Sequence, residues 1–315
     1  MPTPAALGRV ALLSRAAPSP ASSRPPSSNR ALQRGRSQRP LPLEPASPFI
    51  KWVGGKGRVL AQLRPLLPHG VERMRHVEPF IGGGALFFDR RPARARISDV
   101  NPTLIATYEA IRDDVEAVIE HLERLSIGHD RERYYEIRAR YNEAPLDPAE
   151  RAATFIYLNK TCFNGLHRVN RKGQFNVPMG RYSNPRILDA DALRRASGAL
   201  QGAQIVCDGF ESLLEDARPG DFIYFDPPYE PVSNTASFTG YAQDGFAQRD
   251  QIRLRDVFAA LDRRGCRMML SNSDVPFIRE IYADWQIDTV AVARAINCDA
   301  ARRGKVSEVV VRNYR

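Results

Sequence analysis

An aspartate followed by two prolines and a tyrosine, at residues 226–229, is the motif with the clearest chemistry in this sequence. It follows the apolar residues 222–225, which predict a buried strand, and open α/β sheets bind ligands at the carboxyl ends of their strands. The Asp226 carboxylate and the Pro227 carbonyl are two hydrogen-bond acceptors on a backbone that proline restricts. Tyr229 adds a flat ring for stacking. Two acceptors beside such a ring suit the exocyclic amino group of a nucleobase; the alternative is a proline turn that only ends a strand.

A glycine-rich turn earlier in the chain indicates a second binding element. Residues 76–80 predict a short buried strand that leads into three glycines, Gly82 to Gly84. Glycines let the backbone approach a ligand closely, and Asp99, seventeen residues after Gly82, ends the next predicted strand, where it can bind both hydroxyls of a ribose. This spacing fits an adenosine-containing ligand and lacks the GxxxxGK[ST] pattern of a triphosphate site. A tight turn beside a solvated aspartate is the simpler alternative.

A basic segment at residues 160–186 predicts a third function. It carries six lysines and arginines, interleaved with aromatic residues, and no acidic residue. Lys and Arg neutralise phosphates, Arg and Asn bind base edges, and aromatic rings stack on bases. A solvated surface normally mixes both signs of charge, so this composition favours a nucleic-acid-binding surface. The candidate DNA contacts are Asn164, Arg168, Arg171 and Lys172, the last two at the tip of a predicted hairpin with arms at residues 168–170 and 174–177.

Strands and helices alternate along residues 49–315, which predicts an α/β fold with helices on both faces of the sheet. Asn101 and Pro102 predict a helix start, as N-cap and first helical residue, with a break near residues 112–114. Further helices are predicted at residues 132–141, 148–159, 250–264 and 275–282, and further strands at 95–98, 205–207, 267–270, 287–292 and 308–313. We expect three parts: a cofactor-binding part at 49–105, an inserted, mostly helical recognition region at 106–186, and the rest of the catalytic domain at 187–315.

The composition narrows the class of protein. The chain has 315 residues and a net charge of +10, which favours an anionic partner. Residues 1–48 hold seven arginines, one acid and ten of the 24 prolines, so we expect a disordered tail rather than an organelle transit peptide. No uncharged apolar run approaches the ~18 residues of a membrane span, and we expect a cytoplasmic protein. Four cysteines without a CxxC pair and five histidines without metal spacing predict neither a disulfide framework nor a metal site.

Residues 49–315 resemble the Dam-type DNA adenine methyltransferases, which use S-adenosylmethionine (SAM). The resemblance rests on several motifs in a fixed order. They lie at residues 49–56 (Phe-Ile-Lys-Trp-Val-Gly-Gly-Lys), 78–84, 98–101, 157–160, 164–166, 173–178, 226–229 and 235–238. The resemblance implies a Rossmann-like SAM-dependent methyltransferase sheet with an inserted target-recognition region that contains a β-hairpin.

The resemblance also assigns roles to single residues. It implies that SAM is bound by Trp52, Lys56, Asp99 and Asp226, to which we add the turn residues Phe80, Gly82 and Gly84. It implies that Arg168 contacts a base of the target. His167 and its neighbours at residues 161–163 differ from the best-known Dam enzymes, so the recognised sequence stays open, with GATC as the leading candidate.

The predicted reaction is a direct methyl transfer to the N6 amine of an adenine flipped out of double-stranded DNA. Asp226 and the Pro227 carbonyl would accept the two amine hydrogens, and Tyr229 would stack on the base. Neither a metal nor a covalent enzyme intermediate is required, and we expect a monomer. Three alternatives stay open: transfer to the N4 amine of cytosine, a DNA-binding protein with an inactive SAM fold, and an NAD-dependent dehydrogenase. The dehydrogenase leaves the Asp-Pro-Pro-Tyr motif and the basic segment without a role.

Overall fold

The computed structural model of the chain describes residues 45–232, 246–293 and 305–315. The predicted tail at residues 1–48 lies outside the described residues except for its last four. The Thr-Ala-Ser-Phe motif at residues 235–238 also lies outside them. The described residues belong to one compact unit, Glu44–Arg315.

The α-helices in the described residues alternate with the strands for most of the chain. They are α1 (Leu60–Leu63), α2 (Ala85–Arg90), α3 (Pro102–Asp113), α4 (Val115–Ser126), α5 (Arg131–Glu143), α6 (Pro148–Thr161), α7 (Ala190–Leu200), α8 (Leu213–Asp216), α9 (Gln248–Arg263) and α10 (Pro276–Ile281). The predicted cap is confirmed, because the Asn101 side chain accepts hydrogen bonds from the N–H groups of Thr103 and Leu104. The predicted break is confirmed at Asp114, which ends α3 and caps α4.

A seven-stranded sheet forms the centre of the described structure. Its strands are β1 (His76–Glu78), β2 (Ala95–Asp99), β3 (Ala203–Cys207), β4 (Phe222–Phe225), β5 (Arg267–Ser273), β6 (Gln286–Ala293) and β7 (Lys305–Arg312). They lie in the order β3-β2-β1-β4-β5-β7-β6. Strands β1 to β5 are parallel, and β7 lies antiparallel between β5 and β6. The chain extends from β1 to one side and returns to the other at β4, so the strand order reverses between these two strands, which is where open α/β sheets bind ligands.

The side chains of β4 alternate between two apolar cores on opposite faces of the sheet. Phe222 and Tyr224 pack with residues of α1 and α2. Ile223 and Phe225 pack with residues of α8, α9 and α10. All four side chains are buried, as in a central strand that is covered on both faces. The prediction of helices on both faces of the sheet is therefore confirmed. Because β4 is packed on both faces, Asp226, which follows it directly, has a fixed position.

The helical region between β2 and β3 shares a core with the sheet. Ile97 of β2, Ile105 of α3 and Phe155 of α6 are buried in the same apolar cluster. The boundary drawn between residues 105 and 106 falls inside α3, which packs against β3 as well as against α6. The helices of residues 106–186, which were predicted to form a separate recognition region, therefore continue the apolar packing of the sheet.

The predicted hairpin around residues 171–173 forms where expected. The Asn176 N–H donates to the Arg168 carbonyl at 3.1 Å and the Asn170 N–H donates to the Gln174 carbonyl at 2.8 Å, on either side of a bridge between Val169 and Phe175. The backbone N–H and carbonyl of Phe175 point away from the opposite arm and are both hydrogen-bonded to the Asn142 side chain of α5, at 2.8 and 3.0 Å, which fixes the hairpin on this helix. Two predictions for the second half of the chain needed correction. Strand β5 extends to Ser273, three residues beyond its predicted end at residue 270, and helix α7 was not predicted.

None of the helices in residues 45–232, 246–293 and 305–315 is long and apolar enough to cross a membrane. Over the same residues, His, Cys, Asp and Glu side chains form no group of three or more that could hold a metal ion.

Candidate active site

Asp226 lies directly after β4, where the strand order reverses. Its Oδ1 atom is 2.8 Å from Nζ of Lys56, a lysine that is only 6% exposed. The same ammonium donates to the Gly54 carbonyl at 2.6 Å, so the lysine is held from both sides. Burial raises the pKa of Asp226 to about 6, although the charge of Lys56 opposes the shift. Near neutral pH the site therefore holds an ionised carboxylate with a buried cation as its partner.

Tyr229 is fixed through its hydroxyl group. The hydroxyl donates to Oε2 of Glu308 on β7 at 2.8 Å. Burial raises the pKa of Tyr229 well above its usual value, so the hydroxyl stays protonated and keeps this bond. Lys56 Nζ lies 4.6 Å from the centroid of the ring. Asp226 and Tyr229 thus share one cation, and the half-buried ring is held in place.

The glycine turn lies against Trp52 and supports Asp99. The Gly82 N–H donates to Oδ2 of Asp99 at 3.2 Å, and the Asn101 N–H donates to Oδ1 at 3.0 Å. Gly82 and Gly84 have φ angles of +46° and +69°, which L side chains rarely adopt. A Cβ atom on Gly82 would lie 2.6 Å from Cδ1 of Trp52. The prediction that this turn needs glycine is therefore explained by conformation and by the close approach of an indole ring.

His167 joins the basic segment to this turn. Its ring stacks on Trp52 with 6.0 Å between centroids and 19° between planes. Asn101 uses its oxygen to accept two backbone N–H groups at the start of α3, so its amide nitrogen is the atom that donates to His167 Nδ1 at 3.1 Å. Burial lowers the pKa of His167, which keeps the ring neutral with its proton on Nε2. His167, itself part of the basic segment, therefore connects this segment to Trp52 and Asn101 beside the glycine turn.

Phe80, the remaining candidate for the cofactor site, belongs to an aromatic cluster. Its ring stacks on Phe210 with 5.6 Å between centroids. Phe246 contacts both rings edge-on, at 5.7 and 5.9 Å. Since Phe80 follows β1 by two residues, the cluster adds an apolar wall at the edge of the sheet where Asp226 and the glycine turn lie.

Hydrogen bonds of Asn159 connect the start of the basic segment to residues 49–56, the segment that carries Trp52 and Lys56. The side chain of this fully buried residue forms two hydrogen bonds with the backbone of Lys51, both at 2.8 Å, and donates to the Gly165 carbonyl at 3.1 Å. Gly165 in turn approaches Lys51 so closely that a Cβ atom there would lie 2.5 Å from the lysine Cβ. The start of the candidate DNA surface is thus positioned on the segment that carries Trp52 and Lys56.

The four candidate DNA contacts are all exposed, but they differ in where they lie and in what holds their side chains. Asn164 has a φ of +54° in a short 3-10 turn. The Arg168 guanidinium is held by Asn176, whose side-chain oxygen and carbonyl lie 2.7 and 3.3 Å from it. Arg171 and Lys172 lie at the tip of the short hairpin. The structure places Arg168, Arg171 and Lys172 on the same hairpin, whereas Asn164 lies in the 3-10 turn that follows α6.

A surface cavity of about 560 Å³ borders the basic segment on its α5 side. Arg131 and Tyr135 line it from α5, and Phe163 and Arg181 line it from the basic segment. The Arg131 guanidinium lies 5.2 Å from the Tyr135 ring centroid. Two arginines beside two aromatic rings extend the positive, aromatic character of residues 160–186 onto α5, a helix of the predicted recognition region that holds none of the four candidate DNA contacts.

Sequence reasoning missed Glu308, the hydrogen-bond partner of Tyr229. The two residues are 79 positions apart, and no local pattern marks Glu308 among the apolar residues of its strand. Only the antiparallel insertion of β7 beside β5 brings it to the site. Its one sequence signal is that an acidic residue directly precedes the apolar residues 309–311.

A doubly wound sheet carries a carboxylate on each side of its reversal point, Asp99 and Asp226, at the position where open α/β sheets bind ligands. Comparison with known proteins makes the class specific, because residues 52–296 match the D12 class N6 adenine-specific DNA methyltransferases. The chain belongs to this family.

Three relatives of the chain show how far the similarity extends. A type II methyltransferase of Lactococcus lactis subsp. cremoris, M1.LlaDCHI, is 42% identical over 273 residues, which cover 85% of this chain and 95% of the relative. The type II methyltransferase M.MjaIII of Methanocaldococcus jannaschii is 40% identical over 285 residues, covering 85% and 99%. The DNA adenine methylase of Escherichia coli (strain K12) is 34% identical over 264 residues, covering 83% and 93%. The expected family is thereby confirmed.

Proposed function

We propose that this DNA adenine methyltransferase takes its methyl group from SAM and transfers it to the N6 amine of an adenine flipped out of double-stranded DNA. The observation that carries the proposal is the Asp226–Lys56 pair at the reversal point of the sheet, with Tyr229 beside it and Asp99 at the end of β2. GATC is the sequence to test first.

The residues around the glycine turn suit the cofactor. Bound SAM supplies a methyl group on a sulfonium, which is electrophilic without further activation. Each oxygen of Asp99 accepts one backbone N–H, and a carboxylate has about four acceptor positions, so capacity is left for two ribose hydroxyls. Trp52 and Phe80 provide aromatic surface for the cofactor at the glycine turn. Gly82 and Gly84 keep this turn free of side chains.

The residues after β4 suit the adenine amine. Its lone pair is delocalised into the ring, so the amine is a poor nucleophile until its hydrogens are held. Asp226 and the Pro227 carbonyl would accept these two hydrogens, and a hydrogen bond to a charged group contributes about 1.5–3 kcal/mol. Lys56 keeps the buried carboxylate ionised for this purpose. The tethered Tyr229 ring offers stacking worth about 1–3 kcal/mol, which offsets part of the few kcal/mol needed to flip a base.

The DNA surface would combine residues 160–186 with the exposed face of α5. Arg168, Arg171 and Lys172 lie on the short hairpin, and Arg131 and Arg181 lie beside the aromatic cavity. Their charges would neutralise backbone phosphates, and the exposed ring of Phe163 is available to stack on a base. The side chain of Asn176 orients Arg168, which favours a directed contact of this arginine with a base edge.

The proposal is tested by identifying the modified base. The full chain is incubated with methyl-labelled SAM and a duplex that contains GATC, and the nucleosides are separated by mass spectrometry after digestion. We expect labelled N6-methyladenine, and sequencing of modified bases in genomic DNA then gives the site. A duplex in which the central adenine of GATC is replaced serves as the matched control. Label in N4-methylcytosine, or no label on any duplex including genomic DNA, would contradict the proposal.

A further inference from the structure

Two buried side-chain amides lie beneath the Asp-Pro-Pro-Tyr turn. Gln251 on α9 and Asn272 on β5 are both fully buried, at 0% exposure. Gln251 Nε2 donates to the Pro228 carbonyl at 2.9 Å. Asn272 Oδ1 accepts the Glu230 N–H at 3.1 Å. The two amides therefore hold the backbone on both sides of Tyr229.

The hydrogen-bond network fixes the orientation of both amides. Asn272 Oδ1 accepts the Ser273 N–H at 2.8 Å as well as that of Glu230, so the atom on this side must be the oxygen. The amide nitrogen then faces Gln251 and donates to its Oε1 at 3.0 Å. This leaves the Gln251 nitrogen to donate to the Pro228 carbonyl. Each hydrogen bond in the series from Asn272 on β5 through Gln251 to the Pro228 carbonyl therefore has a defined donor and acceptor.

A third contact holds the same turn from β5. The Ser273 hydroxyl donates to the Glu230 carbonyl at 2.6 Å and is itself buried. The N–H and the carbonyl of Glu230 are therefore both bound by consecutive residues of one central strand. These polar residues lie in a strand that is buried from Met268 to Ser273, where each unsatisfied group would be costly.

Proline explains why the turn needs such support. Pro227 and Pro228 have no N–H, so ordinary turn hydrogen bonds cannot hold this part of the backbone. The Pro228 carbonyl and the N–H and carbonyl of Glu230 are the backbone groups through which Gln251, Asn272 and Ser273 hold the turn. A reacting group that is misplaced by about 1 Å can lose about 100-fold in rate.

We propose that Gln251 and Asn272 form a brace that sets the Pro227 carbonyl and the Asp226 carboxylate at the correct distance from the target amine, and that they are positioning residues for methyl transfer. The inference rests on the proposed roles of Asp226 and Pro227. The brace touches neither reactant, so its loss is expected to lower the rate of transfer at saturation and to leave the affinity for SAM unchanged.

The test compares Q251M and N272L with a matched control, N313L. Asn313 also bridges β5 by its side chain, since it accepts the Met268 N–H at 2.7 Å and donates to the Cys266 carbonyl at 2.8 Å, but it lies at the other end of the strand. Single-turnover methyl transfer is measured at saturating SAM and DNA, with every variant at one temperature well below the lowest Tm of the set. The Kd of SAM is measured on the same samples.

We expect Q251M and N272L to transfer methyl groups about ten- to 100-fold more slowly, with the Kd of SAM within about twofold of wild type. The double variant should be no more than about twofold slower than the slower single variant, because both residues act through one chain of hydrogen bonds. N313L should keep its rate within about twofold while its Tm falls.

Near-normal rates in folded Q251M and N272L, an equal loss in N313L, or a loss confined to SAM affinity would each overturn the brace. If N272L does not fold, Q251M alone decides. The proposed function is judged separately, by whether the wild type produces methylated adenine in the same assay.

Discussion

The two carboxylates on either side of the reversal point are stabilised in different ways. Asp99, at the end of β2, is held by backbone N–H groups of Gly82 and Asn101. Asp226, after β4, is paired with the side chain of Lys56. Burial raises the pKa of both carboxyl groups, and that of Asp226 reaches about 6. The Asp99 carboxylate is thus held by backbone groups of the fold, whereas the ionisation of Asp226 depends on the neighbouring charge of Lys56.

In the proposed function, this difference assigns Asp99 to cofactor binding and Asp226 to the reaction. A carboxylate held by backbone donors has a fixed geometry and suits hydroxyl groups that do not change during the reaction. A carboxylate balanced between burial and one cation responds to the charge around it, which suits an amine that becomes positive as it is methylated. We therefore expect changes at Asp99 to appear in the affinity for SAM, and changes at Asp226 to appear in the rate.

The strongest test of this comparison is Asp226→Ala. Loss of a preorganised acceptor at the reacting atom costs about 100- to 1,000-fold in rate, and we expect the single-turnover rate of this variant to fall by at least that much. Binding of duplex DNA, measured by fluorescence anisotropy, should persist, which shows that the protein is folded. Full activity of the variant would remove Asp226 from the mechanism.

Asp99→Ala is expected to affect the other side of the comparison. Loss of one hydrogen bond to a charged group, worth about 1.5–3 kcal/mol, should weaken SAM binding by at least about ten- to 100-fold as measured by calorimetry. At saturating SAM the transfer rate should return to near that of the wild type. Asp113→Ala is the control, because this carboxylate lies on the surface at the end of α3 with 60% of its side chain exposed. A drop in the saturated rate, with SAM affinity unchanged, would reverse the assignment.

Short-range patterns explain which parts of this site could be predicted from the sequence. The Asn101 cap, the strand before Asp226 and the glycine turn depend on residues a few positions apart, and all three were found where expected. Glu308 and Asn272 could not be predicted, because they reach the site through the pairing of β7 and β4 with β5.

Tertiary contacts also explain the errors in the predicted fold. The hairpin was predicted correctly, but its attachment to α5 through the Asn142 side chain was not. Helix α7 was missed although Asp189 caps it, and α7 depends on packing against α3 and α4. The monomeric state, the cytoplasmic location and the roles of the individual site residues stay predictions.

The pH dependence of the reaction sharpens the comparison further. Methyl transfer needs Asp226 as an ionised acceptor, and burial raises its pKa to about 6, so kcat/KM should fall as the pH drops through about 6. Lys56→Met removes the positive charge that favours the ionised form, so the midpoint should move to higher pH. The pH profile of kcat/KM from pH 5 to 9 measures both. An unchanged midpoint in the variant would show that Lys56 does not control the carboxylate.

The smallest expected effect is that of Gly82→Ala, which disturbs the Asp99 side without changing any charge. A left-handed φ costs an L residue about 1–2 kcal/mol, and the new Cβ atom would lie 2.6 Å from Cδ1 of Trp52. We expect SAM binding to weaken by about tenfold or less, with the saturated rate and the pH midpoint unchanged. Gly70→Ala carries the same kind of strain at φ +75° with no neighbour within 4 Å, so it controls for stability alone. If Gly70→Ala weakened SAM binding equally, the effect would be one of general destabilisation, and the glycine turn would lose its assignment to the cofactor.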